Sequence, residues 1–187
     1  MRNIALIADD LRSTRDILRS ILREALPESF DIQEVETGKE AVQFMQKYAD
    51  QIAIVLLDVL LPEIDGVHIL KIYSDSGWVD CFPVIMITSH DGSEVENVCY
   101  KLGVYDFARK PFSRALAVQR IQHAVTLYQY QQDAMRSDYE VIKNLLVQSD
   151  KIKTEIAKTG FKKTLKLKDE ETGERITLEF DEYGNIQ

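Results

Sequence analysis

Ile52-Ala53-Ile54-Val55-Leu56-Leu57-Asp58-Val59-Leu60-Leu61-Pro62-Glu63-Ile64-Asp65-Gly66 is the stretch that decides the fold. Its apolar run, Ile52 to Leu57, shows no polar alternation and reads as a strand buried on both faces, the kind that parallel sheets contain. The run stops on a carboxylate, Asp58. The same arrangement recurs along the chain. Asp9 and Asp10 follow Asn3–Ala8, Thr88 follows Val84–Ile87, and Lys110 comes shortly after Val104–Phe107. Open parallel sheets bind ligands outside the carboxyl ends of their strands, where these residues would converge. Three carboxylates, a hydroxyl and an ammonium at one sheet edge suit a divalent cation and a phosphoryl group.

Working outward, Phe30–Val35 supplies a fifth strand. Amphipathic stretches separate the strands near Ser13–Ala25, Gly38–Tyr48, Gly66–Tyr73 and Ser93–Leu102. The first carries Ile17, Leu18, Ile21, Leu22 and Ala25 at helical spacing. Thr37 with Glu40 three residues on predicts a capping box at the second. Pro83 suits a strand entrance, and Gly103 suits the residue after a helix. Strands alternating with helices imply an α/β domain with a parallel sheet and right-handed crossovers.

Bulk properties narrow the class. In 187 residues, 45% apolar residues support a sizeable core, and 29% charged residues are ordinary for a globular chain. A net charge of −8 argues against a nucleic-acid surface, which needs clustered Lys and Arg. Cys81 and Cys99 are too few for a disulfide or zinc framework and read as reduced, partly buried thiols. No apolar stretch approaches the ~20 residues of a membrane span. The short run after Arg2 does not fit a signal peptide, so a cytoplasmic location is expected.

Beyond Pro111 the pattern changes. From Ser113 a helical pattern without Pro or Gly runs to about Lys158. In heptads, Val118, Val125, Gln132, Tyr139 and Leu146 share one core position, and Ile121, Tyr128, Met135 and Ile142 share the other. That is a coiled-coil signal and predicts a homodimer through this helix, with a lone helix folded against its own chain as the alternative. Val118 and Ile121 can equally serve the domain core. Gly160 is expected to end the helix. Thr164–Lys168 and Arg175–Phe180 then alternate apolar and polar residues around Glu171-Thr172-Gly173-Glu174, a β-hairpin pattern. A lone hairpin is marginal in water, so its apolar face should cover its own domain, a symmetry mate or a partner.

Taken together, Asp9-Asp10, the run Leu57 to Gly66, Thr88-Ser89 and Lys110-Pro111-Phe112 resemble the receiver domain of two-component response regulators, over about Arg2 to Gln122. The resemblance implies a doubly wound, flavodoxin-like five-stranded sheet of order 2-1-3-4-5. With the patterns beyond it, the chain divides into a receiver domain (1–122), a helical, coiled-coil extension (123–158) and a β-hairpin tail (159–187). The resemblance also implies roles. Asp58 is the expected phosphoacceptor, and Asp9, Asp10, Asp58 and the backbone carbonyl of Leu60 are the expected Mg²⁺ ligands, oxygen donors of the kind Mg²⁺ prefers. Lys110 would bind a phosphoryl oxygen, with Pro111 as the cis-proline that aims it. Thr88 and Phe107 would form a switch pair, steric because Phe107 has no phenolic hydroxyl. The fourth helix, fifth strand and fifth helix would form the readout surface, with Tyr105 exposed on it. Leu60 and His90, each two residues past a site residue, occupy positions where the family varies and tunes phosphoryl lifetime.

The implied function is a phosphorylation-dependent response regulator that takes a phosphoryl group from a histidine kinase or histidine phosphotransfer protein. No enzymatic output is expected beyond Mg²⁺-dependent self-phosphorylation and dephosphorylation. The alternative is the regulatory receiver fragment of a larger cyclic-dinucleotide signalling enzyme. No helix-turn-helix pattern follows Lys110, so a nucleic-acid output is not expected, nor is a membrane partner. Plainer roles stand beside these. Asp10 by itself could cap the first helix. His68, His90 and His123 show no metal-ligand spacing. Lys162, Lys163, Lys166 and Lys168 suit a solvated face, and Tyr128, Tyr130 and Tyr139 suit packing.

Overall fold

The computed structural model describes residues 2–89, 93–111, 113–147, 152–159, 162–169 and 175–180, with backbone alone at 93–94 and from 135 onward. The chain divides into two compact units, residues 1–128 and 129–187. In the first, β1 (Ile4–Ala8), β2 (Asp31–Val35), β3 (Ile52–Asp58), β4 (Val84–Thr88) and β5 (Asp106–Arg109) form one parallel sheet of order β2-β1-β3-β4-β5. Helices α1 (Arg12–Ala25), α2 (Gly38–Tyr48), α3 (Gly66–Asp75), α4 (Ser93–Lys101) and α5 (Arg114–Val147) connect or follow the strands, with a 3-10 turn at Trp78–Asp80. This is the flavodoxin-like arrangement the sequence predicts.

The strands lie where the apolar runs lie because their backbones are sealed on both faces. Every residue of β1, β3 and β4 is buried, whereas β2 buries only Val35, as an edge strand can. One side of the sheet, with Ala5, Ile7, Ile54, Leu56, Ile85 and Ile87, packs on Leu18 and Leu22 of α1 and on Ala117, Ile121, Ala124 and Val125 of α5. Alternate residues such as Leu6, Val55, Leu57 and Met86 are also buried and point to the opposite side. The fifth strand begins two residues later than expected: Val104 is buried ahead of it, and Tyr105 N–H donates to Val84 O at 2.9 Å.

Local signals behave physically. Thr37 caps α2 in a full capping box with Glu40, and Asp65 caps α3 by accepting from His68 N–H at 2.9 Å. Helix α1 has no such cap. Its N-cap is Leu11, so Asp10 does not take the capping role open to it by sequence. Ile17 does not belong to the buried face of α1 either. It is 51% exposed, and the buried stripe is Arg15, Leu18, Ile21, Leu22 and Ala25. Both cysteines are free and buried, and burial pushes the Cys81 thiol well above its ordinary value.

Two expectations for the C-terminal part are corrected. Among the described residues helix α5 runs to Val147, and Ile152–Thr159, expected to continue it towards Lys158, is a strand, β6. The expected hairpin is present as β7 (Lys162–Asp169) and β8 (Arg175–Phe180), but it is two-thirds of a three-stranded antiparallel sheet, β6-β7-β8. Ile156 pairs with Leu165, and Leu165 with Leu178. A third strand answers the marginal stability of a lone hairpin. Gly160 and the Glu171–Glu174 turn lie outside the described residues. The heptad reading also changes at its start. Ile121 and Val125 are buried in the sheet's core, and the Tyr128 hydroxyl donates to Val79 O at 3.0 Å. These positions serve the first unit.

Candidate functional site

The ends of β1, β3, β4 and β5 bring together most of the residues singled out by sequence. Register places Ala8 beside Leu57, Asp58 beside Ile87 and Thr88 beside Arg109, so the residues at or just past the strand ends form one rim. Backbone bonds hold it: Asp9 N–H to Val35 O at 3.3 Å, Val59 N–H to Ile87 O at 3.0 Å, and Lys110 N–H to Thr88 O at 2.7 Å. The Lys110–Pro111 peptide is cis.

Asp9, Asp10 and Asp58 each offer a carboxylate oxygen within 4.8 Å of the others. The Lys110 ammonium donates to Asp9 Oδ2 at 2.8 Å and to Asp58 Oδ2 at 2.5 Å. The other carboxylate oxygens accept from the chain itself: Asp9 Oδ1 from Leu11 N–H and Asp58 Oδ1 from Leu60 N–H, both at 2.9 Å. Asp9, Asp58 and Thr88 are buried, Asp10 is exposed, and Lys110 is partly covered. Burial and the hydrogen bond shared with Asp58 hold the Asp9 carboxyl above the ordinary carboxylate range, against the pull of Lys110 and the Leu11 amide. Burial would lower the Lys110 ammonium, but its hydrogen bonds to Asp58 and Asp9 outweigh that and raise it. Three carboxylates therefore cluster around an ammonium that bonds two of them, Asp9 and Asp58. A set of oxygen donors short of positive charge fits a hard divalent cation that keeps several waters.

The loop after Asp58 is positioned by close backbone approach. A Cβ on Gly66 would stand 2.3 Å from Asp58 O, and one on Gly38 would stand 1.8 Å from Ile64 O. Glycine at these two positions lets the loop lie against the start of α2, where Gly38 N–H donates to Pro62 O at 3.0 Å. Leu60, whose amide holds Asp58, is 60% exposed.

Phe107 is buried with its ring edge-on to Tyr100, centroids 5.3 Å apart. It opens onto a groove of about 430 Å³ between α4, β5 and α5, lined by Glu96, Tyr100, Phe107, Arg109, Leu116 and Arg120 among others. Tyr105, expected to be exposed on this surface, is half-buried. It packs on Tyr128 and its hydroxyl meets His123 Nδ1 at 2.8 Å, because α5 reaches back over it. His68 pairs with Asp65 at 2.7 Å, and His90 and Phe112 lie outside the described residues.

Sequence reasoning passed over Arg15. This arginine lies three and seven residues before Leu18 and Leu22, on the buried stripe of α1, and is 7% exposed. A cation on an apolar stripe was the available signal, since such a group needs partners inside. It has them in Asp9 O, Asp10 O, Glu34 and Glu36.

Comparison with known proteins agrees with this geometry. Residues 5–122 match the family described as the response regulator receiver domain. The regulatory protein VanRc of Enterococcus gallinarum is 30% identical over 124 residues, 66% of this chain and 50% of that protein. The transcriptional regulatory protein SrrA of Staphylococcus aureus is 33% identical over 123 residues, 65% of this chain and 47% of that protein. The chain thus spans about half the length of these curated relatives. Among solved structures, the CheX–CheY–BeF3–Mg²⁺ complex of Borrelia burgdorferi is 30% identical with a TM-score of 0.57. That match covers 65% of this chain and 87% of the matched one.

Proposed function

This chain belongs to the response regulator receiver family through residues 5–122, and we propose that it is a phosphorylation-dependent signalling protein of the cytoplasm whose Asp58 accepts a phosphoryl group. The donor is a phosphohistidine on a histidine kinase or phosphotransfer protein. The observation that carries this reading is the Lys110 ammonium bridging buried Asp9 and Asp58, with Asp10 within 4.8 Å. Asp9, Asp10, Asp58 and the Leu60 carbonyl would hold Mg²⁺, which when bound neutralises charge on the phosphoryl group in flight.

The chain's own groups do the rest. An Asp58 carboxylate oxygen forms the new P–O bond as the donor's P–N bond breaks, leaving the imidazole to take up a proton. The Leu60 amide holds the other Asp58 oxygen and so orients the nucleophile. Lys110 leaves Asp58 Oδ2 for a phosphoryl oxygen, to which it offers a point charge. Thr88 then turns its hydroxyl to one of the new acceptor oxygens, and the space it vacates admits Phe107. This rearrangement reshapes the α4–β5–α5 groove and, through α5, the partner or dimer contacts of the extension. In that extension Gln132, Tyr139, Leu146, Met135 and Ile142 keep the heptad spacing that suits a homodimer.

Incubation with acetyl phosphate and Mg²⁺ tests the reading by intact mass. The parent should gain one phosphoryl group and Asp58→Ala none; an equal gain by both overturns it. The exposed Leu60 side chain obstructs water approaching the acyl phosphate. Leu60→Asn should therefore lose phosphate several-fold faster than the parent, on the scale of one modest transition-state interaction, measured by phosphate release. Equal or slower loss contradicts that role.

A further inference from the structure

We infer that Arg15 is a positioning residue for the divalent-cation site, holding the Asp9-Asp10 backbone in the conformation that aims both carboxylates at Asp58. The inference rests on the cation site proposed above and goes beyond it, since Arg15 touches neither ion nor substrate.

The geometry is specific. Arg15 Nη1 donates to Asp9 O at 2.9 Å and to Asp10 O at 3.2 Å. Its Nε donates to Glu34 Oε2 at 3.3 Å, and its Nη2 pairs with Glu36 Oε1. One guanidinium therefore ties the turn after β1 to the end of β2 and to the residue following it. A peptide unit is planar, so holding the Asp9 and Asp10 carbonyls restrains the planes on both sides of the Asp10 Cα and with them its Cα–Cβ direction. With both carbonyls held, and Asp9 Oδ1 bonded to Leu11 N–H, the turn has little freedom left. Helix α1 has no side-chain cap of its own, so nothing from the helix N-terminus holds this segment in place of the fork. Asp10 depends on it most, because its carboxylate is exposed and its backbone is what directs it.

The two acidic partners explain how a buried cation is tolerated. Glu34 and Glu36 compensate the guanidinium from the β2 side, leaving Nη1 for the carbonyls. Arg19 supplies a natural contrast. It also contacts Glu34, through Nε at 2.5 Å, and pairs with Asp16 at 2.8 Å, so its bonds run to carboxylates and not to the carbonyls of the acidic pair. Lysine could not replace the fork at Arg15, because an ammonium is a single point on a flexible stem and cannot span carbonyls and carboxylates in one plane.

The test is Mg²⁺ affinity by isothermal titration calorimetry on the full chain, well below its unfolding temperature. Arg15→Gln should weaken Mg²⁺ binding about tenfold or more, the usual consequence of removing a group that orients a metal ligand. Arg15→Lys should weaken it several-fold and covers the case in which Arg15→Gln does not fold. Arg19→Gln, with the same charge change, should stay within about twofold of the parent. In parallel, the half-saturating Mg²⁺ for phosphorylation by acetyl phosphate should rise in the Arg15 variants, with the rate at saturating Mg²⁺ retained. A merely structural role would lower the melting temperature and leave Mg²⁺ affinity alone. Parent-like affinity in Arg15→Gln or Arg15→Lys overturns the inference alone, as does an equal loss in Arg19→Gln. A parent that binds no Mg²⁺ overturns the cation site itself and this inference with it.

Discussion

Residues 2–128 and the extension from Gln129 follow different sequence logics. In the first, strands sealed on both faces give apolar runs that no surface helix imitates, and polar groups at their ends stand out sharply. In the extension apolar and polar residues are interleaved along every segment, so the pattern fits more than one structure. Ile152 and Ile156 are four apart, as a helix face requires, yet Ile152, Thr154 and Ile156 also alternate as a strand requires, and the strand is what forms. The lesson is that an unbroken apolar run writes an unambiguous code, whereas an interleaved pattern does not.

Helix α5 belongs to both regimes, and mutating one heptad position at two points separates them. Ile121 is 2% exposed in the sheet's core, so Ile121→Ala should cost about 2–4 kcal/mol through lost burial and a residual cavity. Ile142, three heptads on, should give within about 0.5 kcal/mol when changed to Ala, read on the receiver. Trp78, the sole tryptophan and buried in the first unit, reports receiver unfolding in urea without a contribution from the extension. Equal destabilisation by the two variants would break the comparison.

A smaller effect marks the boundary. Burial raises the Tyr128 phenol above its ordinary value, and its hydroxyl donates to Val79 O at 3.0 Å. Tyr128→Phe should cost about 1 kcal/mol by the same urea titration. No change would mean that the first unit ends earlier on α5.

The smallest effect lies at the cap of α3. Burial would raise the Asp65 carboxyl, but hydrogen bonds from the His68 amide and ring outweigh it and hold it below the ordinary range. A lowered folded pKa contributes stability above the unfolded value, lost as pH falls through the folded one. Asp65→Ala should therefore cost about 0.5–1 kcal/mol near neutral pH, less than a buried cap because the side chain is 44% exposed. The gap from the parent should close between about pH 5 and pH 3; a gap independent of pH would exclude the carboxylate as its source.

Much of the fold and most of the rim were legible, for stated reasons. Asp9, Asp10, Asp58, Thr88 and Lys110 were found because strand-end polarity follows directly from parallel topology. Ile17 and Arg15 exchanged places because helical spacing alone cannot say which edge of an apolar stripe is covered, and a paired arginine can be the covered residue. Tyr105 was misjudged because its cover, Tyr128, lies on the part of α5 that sequence assigned to the extension. The change from helix to strand ahead of Ile152 was missed because neither glycine nor proline stands between Val147 and Ile152.

Sedimentation velocity of the full chain, with and without beryllofluoride and Mg²⁺, tests most directly whether the rim controls the extension. Beryllofluoride mimics the acyl phosphate, so the parent should change its sedimentation coefficient when both are added, and Asp58→Ala should not. An identical response from parent and Asp58→Ala would contradict the account.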